Sequence, residues 1–256
     1  MNHIIITGHS KGLGAGIAAA LLSENNCVHG ISRTNNAELH NTAATRGFSL
    51  NFYKCDLNKI NTIRAVMQKV ALKISPENTT GVYLVNNAGV INPVGPLSTV
   101  DISDFQCHVN INLLAPIVLI HEFIRLFQAM PGEKRILNIS SGAAINHYYG
   151  WSAYCTSKAG LEMFARCIAA EQLQQKHPIH TMSVAPGVID TEMQAVIRET
   201  SEKQFIHKKK FVELKNAGKL ISPMVAGTKI AQLLFSPQFK NGERIDLRDS
   251  YQTTIS

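Results

Sequence analysis

Ile4-Ile5-Ile6-Thr7-Gly8-His9-Ser10-Lys11-Gly12-Leu13-Gly14 decides the fold of this chain. Three consecutive isoleucines bounded by a turn read as a short buried strand. The glycines read as a tight turn, because they allow positive φ and close approach of the backbone. Ala15 to Leu22 then reads as a helix, whose free N–H groups and positive dipole end suit a pyrophosphate. The spacing is T-G-x-x-x-G-x-G rather than the G-x-G-x-x-G dinucleotide fingerprint. Taken alone, the turn is equally a tight strand-to-helix connection. Its place at the first strand of an alternating chain favours a cofactor site.

Outward from that unit, strand-like runs near 3–7, 27–31, 48–54, 82–86, 134–140, 179–185 and 244–246 alternate with helical stretches near 13–24, 58–73, 101–129 (broken around 110) and 152–176. This alternation predicts an α/β fold, a Rossmann-like doubly wound parallel β-sheet with helices on both faces. Residues 1–256 read as a single domain. The segment 188–222 departs from the pattern. It is long, polar and just past a strand end, which suits a flap over a site. Ligands of such sheets bind outside the carboxyl ends of the strands, where the motifs below fall.

The chain of 256 residues is long enough for a sizeable core. No apolar run reaches the roughly 20 residues of a membrane span, and the N-terminus lacks the features of a signal peptide. The expectations are no membrane association and a cytoplasmic address. Five cysteines, Cys27, Cys55, Cys107, Cys155 and Cys167, are odd in number and widely spaced. They argue against a disulfide framework and a thiolate zinc site. His177 and His180 lack an accompanying carboxylate motif and read as a surface pair, so no metal is expected. The net charge of +7 suits an anionic partner. Its densest run, His207-Lys208-Lys209-Lys210, reads as a solvated helix face, and no nucleic-acid-binding signature accompanies it.

The second strand, Cys27 to Ile31, ends at Ser32-Arg33 with no acid to bind a ribose 2′-hydroxyl. Arg33 offers a planar fork for a 2′-phosphate instead, and Lys11 can reach the same group. Together they point to NADP(H). Tyr154-Cys155-Thr156-Ser157-Lys158 places a tyrosine and a lysine on one helix face. A nearby ammonium favours the phenolate and brings a phenol of pKa about 10 into acid–base range. Ser141, or its neighbour Ser140, lies just past a strand and can polarise a carbonyl oxygen. Asn112 lies near the helix break.

These residues resemble the short-chain dehydrogenases/reductases over nearly the whole chain. Thr7-Gly8-x-x-x-Gly12-x-Gly14, Asn86-Asn87-Ala88-Gly89, Asn112, Ser141, Tyr154-x-x-x-Lys158 and Pro186-Gly187-x-x-x-Thr191 stand in that family's order and spacing. The resemblance implies that Tyr154 donates a proton to a carbonyl oxygen, Lys158 lowers its pKa and holds the nicotinamide ribose, Ser141 orients the carbonyl, and Asn112 holds a relay water. The family pattern favours Asn112 over Asn110, and the spacing to the tyrosine favours Ser141 over Ser140. The resemblance places Gly8, Ser10, Lys11, Gly12, Leu13, Gly14 and Arg33 at the phosphates. Asp56, Asn87, Ala88 and Gly89 fall on the adenosine side, and Pro186, Gly187, Val188 and Thr191 round the nicotinamide. It implies a homodimer or homotetramer.

Gly150-Trp151-Ser152-Ala153-Tyr154-Cys155 and Ala185-Pro186-Gly187-Val188-Ile189-Asp190-Thr191-Glu192-Met193-Gln194 look like the branch of sepiapterin and benzil reductases. That likeness implies NADPH-dependent reduction of a small-molecule ketone or vicinal diketone, and makes Asp246 a candidate substrate anchor. The alternative for Asp246 is a surface pairing with Arg244 or Arg248. Tyr148, Tyr149 and Trp151 are a candidate aromatic wall for a flat ring, or else a lid or subunit contact. The chain departs from the branch in its polar tail, Ser250 to Ser256. A non-catalytic NADP-binding module is the competing function, against which the intact Asn, Ser, Tyr and Lys positions argue.

Overall fold

Residues 1–248 are described by a computed structural model, and the polar tail Ser250 to Ser256 lies outside them. The first strand, β1 (Asn2–Thr7), lies inside a parallel sheet. Its neighbours are β2 (Asn26–Ser32), β3 (Ser49–Lys54), β4 (Gly81–Asn86), β5 (Glu133–Ile139), β6 (His180–Ala185) and β7 (Arg244–Asp246), in the spatial order β3-β2-β1-β4-β5-β6-β7. Every pairing is parallel. The order reverses between β1 and β4, where a doubly wound sheet opens its binding crevice.

Strand periodicity sends alternate residues to opposite faces. Ile4, Ile6, Val28, Val85, Leu137 and Val184 pack under α1 (Gly12–Leu21) and α9 (Pro223–Phe235). Ile5, Ile31, Leu84 and Ile136 pack under α3 (Ile63–Ala71) and α5 (Ala115–Phe127). Isoleucine runs are therefore buried on both sides, as a central parallel strand requires.

Each expected strand is present, and the helices add detail. α2 (Ala37–Thr45) was not expected, because it buries only Leu39 and Ala43 and so lacks an apolar stripe. The side chain of Asn36 caps it by accepting the Leu39 N–H at 2.9 Å. The break expected near residue 110 is a π-helical turn, Asn110–Leu114, between α4 (Ile102–Val109) and α5. The resulting helix, Ile102–Phe127, is long and apolar enough by composition to cross a membrane. This corrects the expectation that no stretch is. Its Leu119, Ile120, Phe123 and Phe127 are buried in the core, which accounts for the hydropathy. The segment 188–222 carries two short helices, α7 (Glu192–Glu199) and α8 (Lys208–Asn216).

α1 and α9 meet backbone to backbone. A Cβ on Gly227 would lie 2.2 Å from the Gly16 carbonyl carbon, and one on Gly16 would lie 2.1 Å from the Pro223 oxygen. Neither obstruction is a flexible side chain. Gly227→Ala should therefore lower the unfolding free energy by about 1–3 kcal/mol through overpacking, despite a gain of roughly 1 kcal/mol in helix propensity. A urea titration checks this, and an unchanged or raised midpoint would show that the two helices can part at no cost.

Candidate active site

The crevice begins at the Gly-rich turn. Gly8 and Gly12 have φ of +71° and +54°, and a Cβ on Gly14 would fall 2.1 Å from the Gly8 carbonyl oxygen. α1 starts with no side-chain cap and no acid in its first turn, so its leading N–H groups suit an anion. The Thr7 hydroxyl accepts the N–H groups of Asn87 and Ala88, both at 3.0 Å. Asn87 Nδ2 donates to the Thr7 carbonyl at 2.9 Å. The turn is thus fastened to the end of β4.

Other expected cofactor residues gather round it. Asn36 Nδ2 donates to the Ser10 carbonyl at 3.0 Å. Arg33 follows β2 and is exposed. Lys11 is ion-paired with Glu192 at the start of α7, both side chains being largely exposed. Thr191 lies against Gly12, with its Cγ2 3.2 Å from where a Cβ would be. Asp56 accepts the Asn58 N–H at 3.1 Å in the turn after β3. Val188 accepts the Ile221 N–H at 3.0 Å, closing the base of the flap. The uncapped helix end and the glycine cradle fit the pyrophosphate of a nicotinamide dinucleotide.

Asn112, Ser141, Tyr154 and Lys158 converge at the same strand ends. Tyr154 and Lys158 are buried one turn apart on α6 (Ser152–Gln172). Lys158 Nζ donates to the Ile139 carbonyl at 2.8 Å and lies 5.8 Å from the Tyr154 ring centre. Ser141 faces Tyr154, whose pKa it lowers, and accepts the Ala143 N–H at 3.1 Å. A Cβ on Gly89 would lie 3.4 Å from Asn112 Oδ1 and 3.8 Å from Lys158 Nζ.

The two competing residues have other partners. Ser140 turns away and donates to Glu162, and Asn110 Nδ2 donates to Asn58 at 3.1 Å. The expected direction of the tyrosine's acidity is corrected. Burial pushes Tyr154 up to about 12, against the Ser141 hydrogen bond that lowers it. Burial likewise pushes Lys158 down to about 8, against the Glu162 charge that raises it. Desolvation is the largest cause of both shifts and favours a neutral phenol.

A family model described as short chain dehydrogenase matches residues 2–202. The chain belongs to the short-chain dehydrogenase/reductase family. A benzil reductase ((S)-benzoin forming) of Bacillus cereus is 40% identical over 96% of this chain and 100% of its own. A sepiapterin reductase of Meriones unguiculatus is 30% identical over 96% of each. Among solved structures, a short-chain dehydrogenase/reductase of Saccharomyces cerevisiae superposes with a TM-score of 0.84 at 25% identity, over 99% of both chains.

The reductase site is roofed by the flap. Trp151 is buried and stacks on Phe205 at 4.5 Å and 9°, with Phe211 and Tyr154 at 5.5 and 5.6 Å. Tyr148 packs on Trp151 and His207 at 5.0 and 5.4 Å. These rings hold the lid, so the face of Trp151 is already covered. Tyr149, the third ring of the expected wall, is 45% exposed. Asp246 pairs with Arg244 and Arg248 at 3.3 and 2.7 Å. Its carboxylate thus makes the arginine pairings that were the alternative to a substrate anchor. Sequence reasoning missed His9, Glu162 and Phe205. His9 is buried in the Gly-rich turn, hydrogen-bonded to Ser32 Oγ at 3.2 Å, with its ring where a Gly30 side chain would be. The unusual Gly30 within β2 was the available signal.

The buried lysine has a signed consequence. Its folded-state pKa of about 8 lies below the ordinary 10.5, so between these values the unfolded chain binds more protons and stability rises with pH. The penalty is fully present below pH 8. Lys158→Met should be favoured over the parent most strongly there, the margin narrowing by about 3 kcal/mol on going to pH 10.5. Denaturant titrations of both proteins across this range check the slope, and parallel curves would refute it.

Proposed function

We propose that this chain is an NADPH-dependent carbonyl reductase that converts a ketone or vicinal diketone, benzil-like or sepiapterin-like, to an alcohol. The observation that carries the reading is Tyr154. Its hydroxyl faces Ser141, its proton is retained by burial, and it sits beneath an apolar lid. When bound, the reduced nicotinamide supplies the hydride to the carbonyl carbon. Tyr154 gives its proton to the carbonyl oxygen, so the product alcohol takes up one proton and one hydride in all. Ser141 already accepts from Ala143, which leaves its own hydrogen to aim at that oxygen as charge develops.

Lys158 holds its ammonium group against the Ile139 carbonyl and can return a proton to Tyr154. The resemblance gives Asn112 a relay water, which its backbone would hold because its side chain is already engaged. Its amide is committed to Val90, accepting from N at 2.8 Å and donating to O at 2.7 Å. The π-helical turn lies at this point, as such turns often do at functional sites.

The preference for NADPH rests on Arg33, and the substrate class on the relatives and the aromatic lid. Val94, Ile197, Phe205 and Phe211 make the surroundings of Tyr154 apolar, which suits a flat, weakly polar carbonyl compound. A homodimer or homotetramer is part of this proposal, and the exposed Leu114 and Met163 on neighbouring helical segments support it. So is a cytoplasmic address.

NADPH oxidation by the purified protein, with benzil and sepiapterin side by side and NADH as control, tests the reading. Turnover of either carbonyl, faster with NADPH, is expected. Tyr154→Phe should abolish turnover while leaving cofactor affinity intact, and retained turnover would remove Tyr154 as the acid. Arg33→Ala should weaken NADPH binding by about 10-fold or more, the value of charged hydrogen bonds, and leave NADH binding unchanged. Equal effects on the two cofactors would dismiss the 2′-phosphate contact.

A further inference from the structure

His108 is buried at 1% exposure on α4 and takes no part in the steps above. Its neighbours determine its state. Val90 presents both an N–H and a carbonyl to Asn112, and this reciprocal pair fixes which end of the Asn112 amide is nitrogen. The same Nδ2 lies 2.9 Å from His108 Nε2. An amide nitrogen only donates, so Nε2 must offer a lone pair. The ring proton therefore sits on Nδ1, which donates to the Asn92 carbonyl at 2.7 Å. Ser157 Oγ lies 3.1 Å from Nε2, which as an acceptor takes the hydroxyl's hydrogen, and the Tyr154 carbonyl at 3.0 Å is the other acceptor within reach of that same hydrogen. The imidazole also meets the Tyr154 ring edge-on, 6.1 Å between centres.

We infer that His108 is a positioning residue for the carbonyl reduction. As the neutral Nδ1–H tautomer it clamps the loop after β4, the π-helical turn and α6 together, and so sets Asn112 in place relative to Tyr154 and Lys158. The inference rests on the proposed roles of those residues. The site requires a rigid side chain with a donor on one edge and an acceptor on the other, which imidazole alone combines with a flat ring. A phenyl ring would fill the space but leave the Asn92 carbonyl and one Asn112 hydrogen without these partners, and buried polar groups tolerate that poorly. The harm would fall on alignment, and displacements on the order of 1 Å suffice to slow a reaction about 100-fold.

His108→Phe and His108→Gln, measured beside the parent in the full chain, test this. Circular dichroism melting, NADPH affinity by fluorescence, and kcat and KM with the carbonyl the parent turns over are the readouts. His108→Phe should lose about tenfold or more in kcat, keep its fold and bind NADPH as the parent does. His108→Gln, which retains a donor and an acceptor, should recover part of the loss. A kcat for His108→Phe within about twofold of the parent would overturn the inference. So would parallel losses in kcat and NADPH binding, which mark a general structural role.

If His108→Phe does not fold, Ser157→Ala removes the α6 arm of the clamp alone. A drop in kcat at unchanged NADPH affinity then supports the inference, and an unchanged kcat overturns it. Nitrogen-15 spectra of the parent imidazole need no turnover. A neutral ring protonated at Nδ1 at neutral pH supports the clamp, and one protonated at Nε2 or at both nitrogens overturns it. The clamp can thus fail while the reductase reading stands, and the reverse.

Discussion

The Thr7 hydroxyl accepts two backbone N–H groups from the end of β4, and the rest of the site depends on this contact. It lies where the sheet's strand order reverses and the crossover helices diverge to opposite faces. A crevice is unavoidable there, and its walls belong to segments far apart in the chain. Thr7 and Asn87 close the floor of that crevice with side-chain hydrogen bonds. The Gly-rich turn is consequently held against Ala88 and Gly89, and Gly89 faces Asn112 and Lys158. One threonine links the phosphate end of the site to its catalytic end.

Burial is the second constraint, and it acts in one direction on the two groups proposed as acid and proton relay. Tyr154 is pushed up and Lys158 down, each toward its neutral form. A phenol that keeps its proton suits donation to a carbonyl oxygen. An ammonium weakened to about 8 suits passing a proton on near neutrality. Glu162 moderates the second shift while also receiving the Ser140 hydroxyl and Arg244. That acid ties the catalytic helix to the strand end beside Ser141 and to β7.

What was legible in the chain followed from short-range pattern. Isoleucine runs, glycine spacing and the four-residue interval from Tyr154 to Lys158 each encode geometry locally, so the strands, the turn and the paired side chains could be read. α2 was not legible because its helix is set by the Asn36 cap rather than by an apolar stripe. Ser140 and Ser141 are adjacent and chemically identical, and only the third dimension shows one facing Glu162 and the other Tyr154. Asp246 invited a ligand role by position, yet its charge is met by arginines two residues away on either side.

The lid shows why site residues and substrate contacts differ in legibility. Trp151 immediately precedes the catalytic helix, so its nearness to Tyr154 is local and visible. Its partner Phe205 lies beyond three further elements, α6, β6 and α7, and reaches it only because the flap folds back. The base of that return is held by the Ile189–Ile221 bridge and by the Lys215–Asp190 ion pair at 2.6 Å. A stack of two rings at 4.5 Å leaves no room for a third between them. An aromatic substrate must therefore be received by ring edges and by aliphatic neighbours such as Val94 and Ile197, or by displacing Phe205 as the flap moves. Either way, the rings nearest Tyr154 shape the pocket by holding the lid.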